Sequence, residues 1–227
     1  MKRSEINNYI DEALAFFEKN CFYLPEWIRW SPEVWAQKGD ECNEIRDNGL
    51  GWDITDFGRG DFLKEGLTLV TIRNGNIKLD TKTYCEKIMM VHVNQVTPAH
   101  FHWQKTEDII NRGGGMFCMK LWKANEKEEA TQEPCSVQID GVTTVIPAGE
   151  VLRLFPGQSV CYEPYMYHEF WAEDAPCLVG EVSSVNDDTS DNRFIVPVGR
   201  FPKVEEDVYP KYLLGNEIKA WKLKNPC

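Results

Sequence analysis

Beyond about Gly51 the chain is written as short β-branched, aromatic or alternating runs bounded by turn residues, with no amphipathic helix between them. A parallel sheet needs a crossover helix between its strands, so this spacing excludes a βαβ architecture and requires an antiparallel sandwich or barrel. GLTLVTIRNGNIKLD reads as two strands joined at Asn74-Gly75. SVQIDGVTTVIPAG reads as two more joined at Asp140-Gly141, because both dipeptides tolerate the positive φ of a tight hairpin turn. YCEKIMMVHVNQVTPAHFHW is a strand region broken near Pro98, and MFCMKLWKA, EVLRLFPGQSVCYEPYMYHEFWA and CLVGEVSSVND supply the remaining strands.

The two ends differ from this texture. Ser4 is placed to cap a first helix in which Ile6, Ile10, Ala13, Leu14 and Phe17 form one apolar stripe that must dock on something. In the next segment, FYLPEWIRWSPEVWAQKGDE, Trp27, Trp30 and Trp35 are interspersed with Pro25 and Pro32. This suits an irregular arm whose indoles pack in the core or against a second copy. From Asp207, KYLLGNEIKAWKLK returns towards helix. The expectation is a single overall domain: a helical and aromatic arm over 1–50, a β-barrel over 51–205 and a helical tail over 206–227. A chain of 227 residues, 42% of them apolar, can fill one such core without disulfides. The eight cysteines are scattered with no CxxC pair, the pattern of small buried hydrophobes in a reducing compartment.

Charge narrows the partners. Lys plus Arg number 25 against 36 Asp plus Glu, a net charge of −11, and such a surface repels phosphate backbones and anionic lipid. No run of about 18 apolar residues offers a spanning helix, and MKRSEINNYIDEALAFF carries acids and asparagines where a signal peptide has an apolar stretch. A cytoplasmic protein with neither nucleic-acid nor membrane partners is expected. KANEKEEATQE is expected to be a solvated loop.

The densest chemistry lies in AHFHWQKTEDIINRGGG. His100 and His102 are two residues apart, so on a strand both project from one face, whereas on a helix they would diverge by about 200°. Only a strand makes them joint ligands. Glu107 lies five residues beyond His102, which on an unbroken strand is the opposite face; the chain must bend within WQKT to bring it round. A further ligand must come from another strand. His168, at the end of PGQSVCYEPYMYH, can supply it, while His92 reads as a core histidine or as one that orients a ligand. Three imidazoles and one carboxylate suit Mn²⁺, Fe²⁺, Co²⁺, Ni²⁺ or Zn²⁺, and an octahedral ion would keep two positions open for substrate oxygens.

HFHWQKTE followed by glycines resembles the first motif of the cupins. IPAGE and PGQSVCYEPYMYH resemble the turn and second motif that supplies the last histidine, with EPYMYH standing where PxG is usual. Over nearly the full length, HFHWQKTEDIINRGGG, GEVSSVNDDTSDNRF and the helical N-terminal region resemble the D-lyxose isomerase family, sugar ketol-isomerases among the cupins. The resemblance implies an all-β cupin, a double-stranded β-helix or jelly-roll barrel, with an N-terminal helical arm and a short C-terminal helix. It also implies a homodimer that interconverts D-lyxose with D-xylulose, and D-mannose with D-fructose, on a divalent metal, usually manganese.

Such a reaction moves a proton between C2 and C1 of a monosaccharide while charge is stabilised on the neighbouring oxygens, so a base must stand beside the ion. Glu181, thirteen residues after His168 on a strand, is assigned as the proton shuttle. Lys105, within the required bend, is placed to polarise an oxygen, donate a proton or contact substrate. Asp187, Asp188, Asp191 and Arg193 are candidates for binding sugar hydroxyls, Asp187 and Arg193 foremost. Arg112 before three glycines reads as a turn between strands or as a phosphate nest, which keeps a phosphosugar isomerase open. The same donor set would also serve an iron-dependent dioxygenase or a non-catalytic sugar-binding cupin.

Overall fold

A computed structural model of the chain describes residues 1–224, with side chains through Trp221. The helices are α1 (Arg3–Lys19), α2 (Pro32–Trp35), α3 (Asn43–Asp47) and α4 (Gly215–Lys224). The strands are β1 (Gly51–Thr55), β2 (Leu67–Asn74), β3 (Tyr84–Val91), β4 (Thr97–Phe101), β5 (Glu107–Lys123), β6 (Cys135–Ile139), β7 (Val142–Ile146), β8 (Val151–Leu154), β9 (Ser159–Tyr162), β10 (Met166–Ser184) and β11 (Arg193–Phe194). Every pairing between these strands is antiparallel.

Two long strands organise the sheet. β5 and β10 pair along almost their whole length, from Met166↔Lys123 to Ser183↔Glu107. The second half of β10 continues into β3, β2 and β1, and the first half of β5 into β9, β6 and β7. The other halves carry β4 with β11 on one side and β8 on the other. One hydrogen-bonded ribbon thus folds into two layers, and its corner lies where the register shifts between Glu173 and Cys177. The glycines at positions 113–115 belong to this corner. Gly114 has φ +91°, and a Cβ there would stand 2.1 Å from the Pro176 carbonyl oxygen; at Gly115 it would stand 2.2 Å from that of Ala175. The triple glycine is therefore not a turn between strands but the point where one strand bends against its partner.

Between the layers lies a core that includes Phe57, Leu69, Met89, Ile109, Phe117, Met119, Leu121, Phe170 and Val179. The other face of β1–β3 is covered by the α1 stripe of Ile6, Ile10, Ala13, Leu14 and Phe17, packed on Trp52, Ile54, Val70, Ile88 and Met90. Covering on both faces explains why β2 is buried at seven of its eight residues, Thr68 and Thr71 included, rather than at alternate ones. The tryptophans of the arm join a third cluster, in which Trp27, Trp30 and Trp35 meet Leu213, Ile218 and Trp221.

Local expectations fare unevenly. Asp140-Gly141 forms a two-residue hairpin, with φ of 49° and 80° and Ile139 paired with Val142. Asn74-Gly75 does not. β2 ends at Asn74 and β3 starts at Tyr84, and NIKLD forms no strand. The Asn74 amide donates instead to the carbonyls of Asn48 and Asn186 (3.0 and 2.9 Å), while Asp80 accepts from the Asn76 and Lys82 amides to shape the loop. Pro98 lies inside β4 rather than between strands. Ser4 sits within α1 and hydrogen-bonds Asp207; Lys2 holds the cap position, its N–H donating to Glu5 at 2.7 Å. Regular helix in the tail begins only at Gly215. Among the described residues no disulfide joins two cysteines, and Cys227 lies outside them. Among the described residues no helix is long and apolar enough to cross a membrane.

Candidate active site

β10 carries the site. His168 pairs with His100 on β4, Glu181 with Lys87 on β3, and Ser183 with Glu107 on β5. Directly opposed residues of an antiparallel pair share a face, so a single register brings a cluster of polar side chains inside the barrel. The bend required between His102 and Glu107 is present, since β4 stops at Phe101 and β5 starts at Glu107. Asp191 holds it. Its carboxylate accepts from the Trp103 and Gln104 amides (2.8 and 3.1 Å), and its carbonyl accepts from His102 Nδ1.

The three imidazoles are oriented alike. His100 Nδ1 donates to the Pro98 carbonyl at 2.8 Å, His168 Nδ1 to that of Met166 at 3.1 Å and His102 Nδ1 to that of Asp191, so every Nε2 is left with its lone pair. Their ligand atoms all lie within 4.8 Å of one another. His168 Nε2 stands 3.0 Å from His100 Nε2 and 3.6 Å from Glu107 Oε2, and His102 Nε2 stands 3.4 Å from Glu107 Oε1. Burial and the adjacent imidazoles keep His100 from protonating, and burial lowers the His168 pKa to about 4. Two neutral rings therefore point lone pairs at each other. Glu107 Oε2 is buried without a hydrogen-bond partner among the described residues. Burial alone would raise Glu107, but Lys105 and the imidazoles outweigh it and hold the carboxyl well below its usual range. Convergent lone pairs around an unengaged carboxylate oxygen are the donor set of a divalent cation, and the triad of His100, His102 and His168 fits one.

A second group of charges adjoins the first. Glu181 Oε1 accepts from Lys105 Nζ and Ser183 Oγ, both at 3.1 Å, and lies 3.3 Å from Lys87 Nζ. No hydrogen bond from a described residue reaches its Oε2. Glu181 is only 5% exposed, on a strand flanked by β3 and β5 rather than at a sheet edge. Lys105 also reaches Glu107 at 2.5 Å, and both lysines donate to Asn186 Oδ1. Asp188 lies 3.7 Å from Lys87 and 3.2 Å from Arg200, which pairs with Asp53 at 2.6 Å. Burial favours a neutral Asp188, yet Lys87 and Arg200 hold its carboxyl well below the usual range; for Asp53 burial prevails and the pKa is raised. Of these groups, Lys87, Lys105, Glu181, Asp188 and Arg200 join the imidazoles, Glu107 and a wall that includes Leu67, Leu69, Met89 and Phe194 in lining a cavity that opens to solvent.

The sequence-derived candidates divide accordingly. His100, His102, Lys105, Glu107, His168 and Glu181 come together in the cavity, as does Asp188. Asp187 and Arg193 do not. Asp187 caps its own loop through Thr189 and Ser190, and Arg193 pairs with Glu128 at 2.9 Å, outside the cavity wall. That pairing also anchors the loop expected from KANEKEEATQE, where Glu128 further accepts from Trp103. His92 packs near Glu12 and edge-on to Phe62, apart from the imidazole cluster. Lys87, Asn186, Asp53 and Arg200 escaped the sequence reading. Only Lys87 left a signal, as a lysine inside the apolar run CEKIMMV.

The D-lyxose isomerase family profile matches residues 1–218. The chain belongs to the D-lyxose isomerase family. The D-lyxose/D-mannose isomerase of Escherichia coli O157:H7 is 46% identical over 98% of this chain and 100% of its own, and that of Serratia proteamaculans is 46% identical over 96% and 97%. Family membership makes the chain an isomerase. Among solved structures, the L-ribose isomerase of Cellulomonas parahominis superposes with a TM-score of 0.59 at 17% identity, covering 90% of this chain and 98% of that one. The L-ribose isomerase of Acinetobacter sp. DL28 gives a TM-score of 0.60 at 16% identity with the same coverage. The fold is accordingly a cupin, as the sequence resemblance implied.

Proposed function

We propose that the protein interconverts D-lyxose and D-xylulose, with D-mannose and D-fructose as a second pair, by proton transfer through an enediol. The observation that carries this reading is the asymmetry of Glu181. Two hydrogen bonds and an ion pair fix Oε1, while no hydrogen bond from a described residue reaches Oε2. A carboxylate so held takes a proton from C2 and returns it to C1 without changing its own orientation, while the hydroxyl proton passes from O2 to O1 across the enediol. Lys105 spaces the two carboxylates, bridging Glu107 and Glu181 so that neither repels the other from the cavity. His100, His102, Glu107 and His168 would hold the divalent ion, manganese in this reading. When bound, the ion supplies Lewis acidity to neighbouring sugar oxygens. The apolar wall excludes water from the reacting carbons. In this reading the enzyme works in the cytosol as a homodimer.

The test is direct. Protein stripped with chelator and refilled with Mn²⁺ is expected to produce D-xylulose from D-lyxose in the absence of oxygen. An absolute requirement for oxygen would assign the ligand set to a dioxygenase instead. Sugar binding without turnover would assign the fold to a non-catalytic cupin.

A further inference from the structure

The residue opposite Glu107 on the side away from β10 is Tyr162 of β9. Directly opposed residues of an antiparallel pair present their side chains on one face, so the phenol projects from the same side of the sheet as the carboxylate. Its ring lies 4.8 Å from that of His168, centroid to centroid, inclined at 38°. Tyr162 therefore adjoins two of the candidate metal ligands at once. It is 3% exposed and does not belong to the cavity lining, which places it behind those ligands and out of reach of a substrate.

Two polar atoms are orphaned here. The Tyr162 hydroxyl is buried without a hydrogen-bond partner among the described residues, and so is Glu107 Oε2, the carboxylate oxygen that faces His168 at 3.6 Å. Each loses a bond to water on folding, and a fold that strands two such atoms side by side calls for an explanation. One is a donor without an acceptor and the other an acceptor without a donor. Burial, and after it the charge of Glu107, raises the Tyr162 phenol well above its ordinary value, so the carboxylate is close enough to act on the hydroxyl. A carboxylate oxygen has two lone pairs, and Oε2 can accept one hydrogen bond while still offering an electron pair to a cation. Lys105 already holds Oε1. A bond at Oε2 would fix the plane of the carboxylate.

We propose that Tyr162 is a positioning residue of the metal centre, its hydroxyl donating to Glu107 Oε2 so that the carboxylate stays turned towards the imidazole cluster. The inference rests on the reading of His100, His102, Glu107 and His168 as ligands and adds to it a residue that touches neither ion nor sugar. The contact with His168 needs only a ring, which phenylalanine would supply as well; the hydroxyl is what Glu107 needs.

Calorimetric titration of chelator-stripped protein with Ni²⁺ tests this apart from turnover. Ni²⁺ binds nitrogen donors more tightly than Mn²⁺ and so keeps weakened variants measurable. Tyr162→Phe keeps the ring against His168 and removes only the hydroxyl. It is expected to weaken Ni²⁺ binding about 10- to 100-fold, the usual cost of losing a group that orients a ligand. A hydroxyl that works through Glu107 has nothing to work on once that side chain is gone. In a Glu107→Ala background the same substitution should therefore change the affinity by no more than about 2-fold, the scatter of additive effects, which also shows that the fold survives it. Wild-type affinity in Tyr162→Phe overturns the proposal. So does an equal fold-loss in both backgrounds, which would give the hydroxyl a structural role that does not pass through Glu107. Failure of the wild type to bind Ni²⁺, or wild-type affinity in Glu107→Ala, would overturn the ligand reading itself and this proposal with it.

Discussion

All three N–H groups of the Lys105 ammonium are engaged, by Glu107, Glu181 and Asn186. This makes it a spacer between a metal-ligand candidate and a proton-shuttle candidate, and it separates two kinds of failure. Glu107→Ala should lose bound metal and turnover together. Glu181→Gln should keep its metal by elemental analysis while kcat falls about 10²- to 10⁴-fold, the usual contribution of a positioned general base. Full metal and full rate in Glu107→Ala would break the coordination assignment. Asp188 yields a pH prediction. Its folded-state pKa is depressed, so its contribution to stability is present above the unfolded value near 4 and is lost as pH falls through the lower folded value. Melting temperatures of wild type and Asp188→Asn should therefore differ at pH 7, start to converge as pH falls through about 4 and meet only in stronger acid; a gap that stays constant into acid would refute the assignment. The ligand residues were legible because HxH and a nearby carboxylate have a meaning at short range. Lys87 and Arg200 were not, because what fixes each in the cavity wall is a partner, Glu181 for one and Asp53 for the other, that sequence distance hides.

At the scale of elements, the corner shared by β5 and β10 decides where the site sits. It lies between His168 and Glu181 on β10 and lets one strand present both to the same interior. Gly114→Ala would place a Cβ 2.1 Å from a backbone oxygen that cannot swing aside, at a φ that side chains avoid. A loss of about 2–3 kcal/mol in denaturant unfolding is expected, with Glu181 and His168 misaligned in the surviving fold. Stability within about 0.5 kcal/mol of wild type would show that the corner relaxes freely. Alternation and turn chemistry made most strands legible. Asp140-Gly141 fulfilled its signal because the bonds Asp140 makes outside the hairpin, all to Ser159, leave the two-residue turn intact, whereas Asn74 is drawn into bonds with Asn48 and Asn186 that no local rule contains. The triple glycine was misleading because a bend within a paired strand and a turn between strands ask for the same residue.

Across the whole molecule, α1 is stitched to the far end of the chain. Lys2 bridges Glu205, the Arg3 amide donates to the Glu205 carbonyl at 2.8 Å, and the Arg3 guanidinium, 1% exposed, binds Glu206 and Glu217. Arg3→Met should lower unfolding stability by about 2 kcal/mol, discounted from a fully buried pair because Glu206 is half exposed. An unchanged midpoint would show that the α1 stripe alone holds the helix in place. That stripe and the barrel were legible from period alone; the clasp was not, since its partners are some two hundred residues apart.

The shared ribbons have one more consequence. A cavity whose two walls are continuous through β5 and β10 cannot gape like a clamshell, because prying the walls apart would tear backbone pairing at the corner. In the proposed reaction, sugar would instead enter where the weave is absent, and the lining residues Asn192 and Arg200 lie in such irregular backbone.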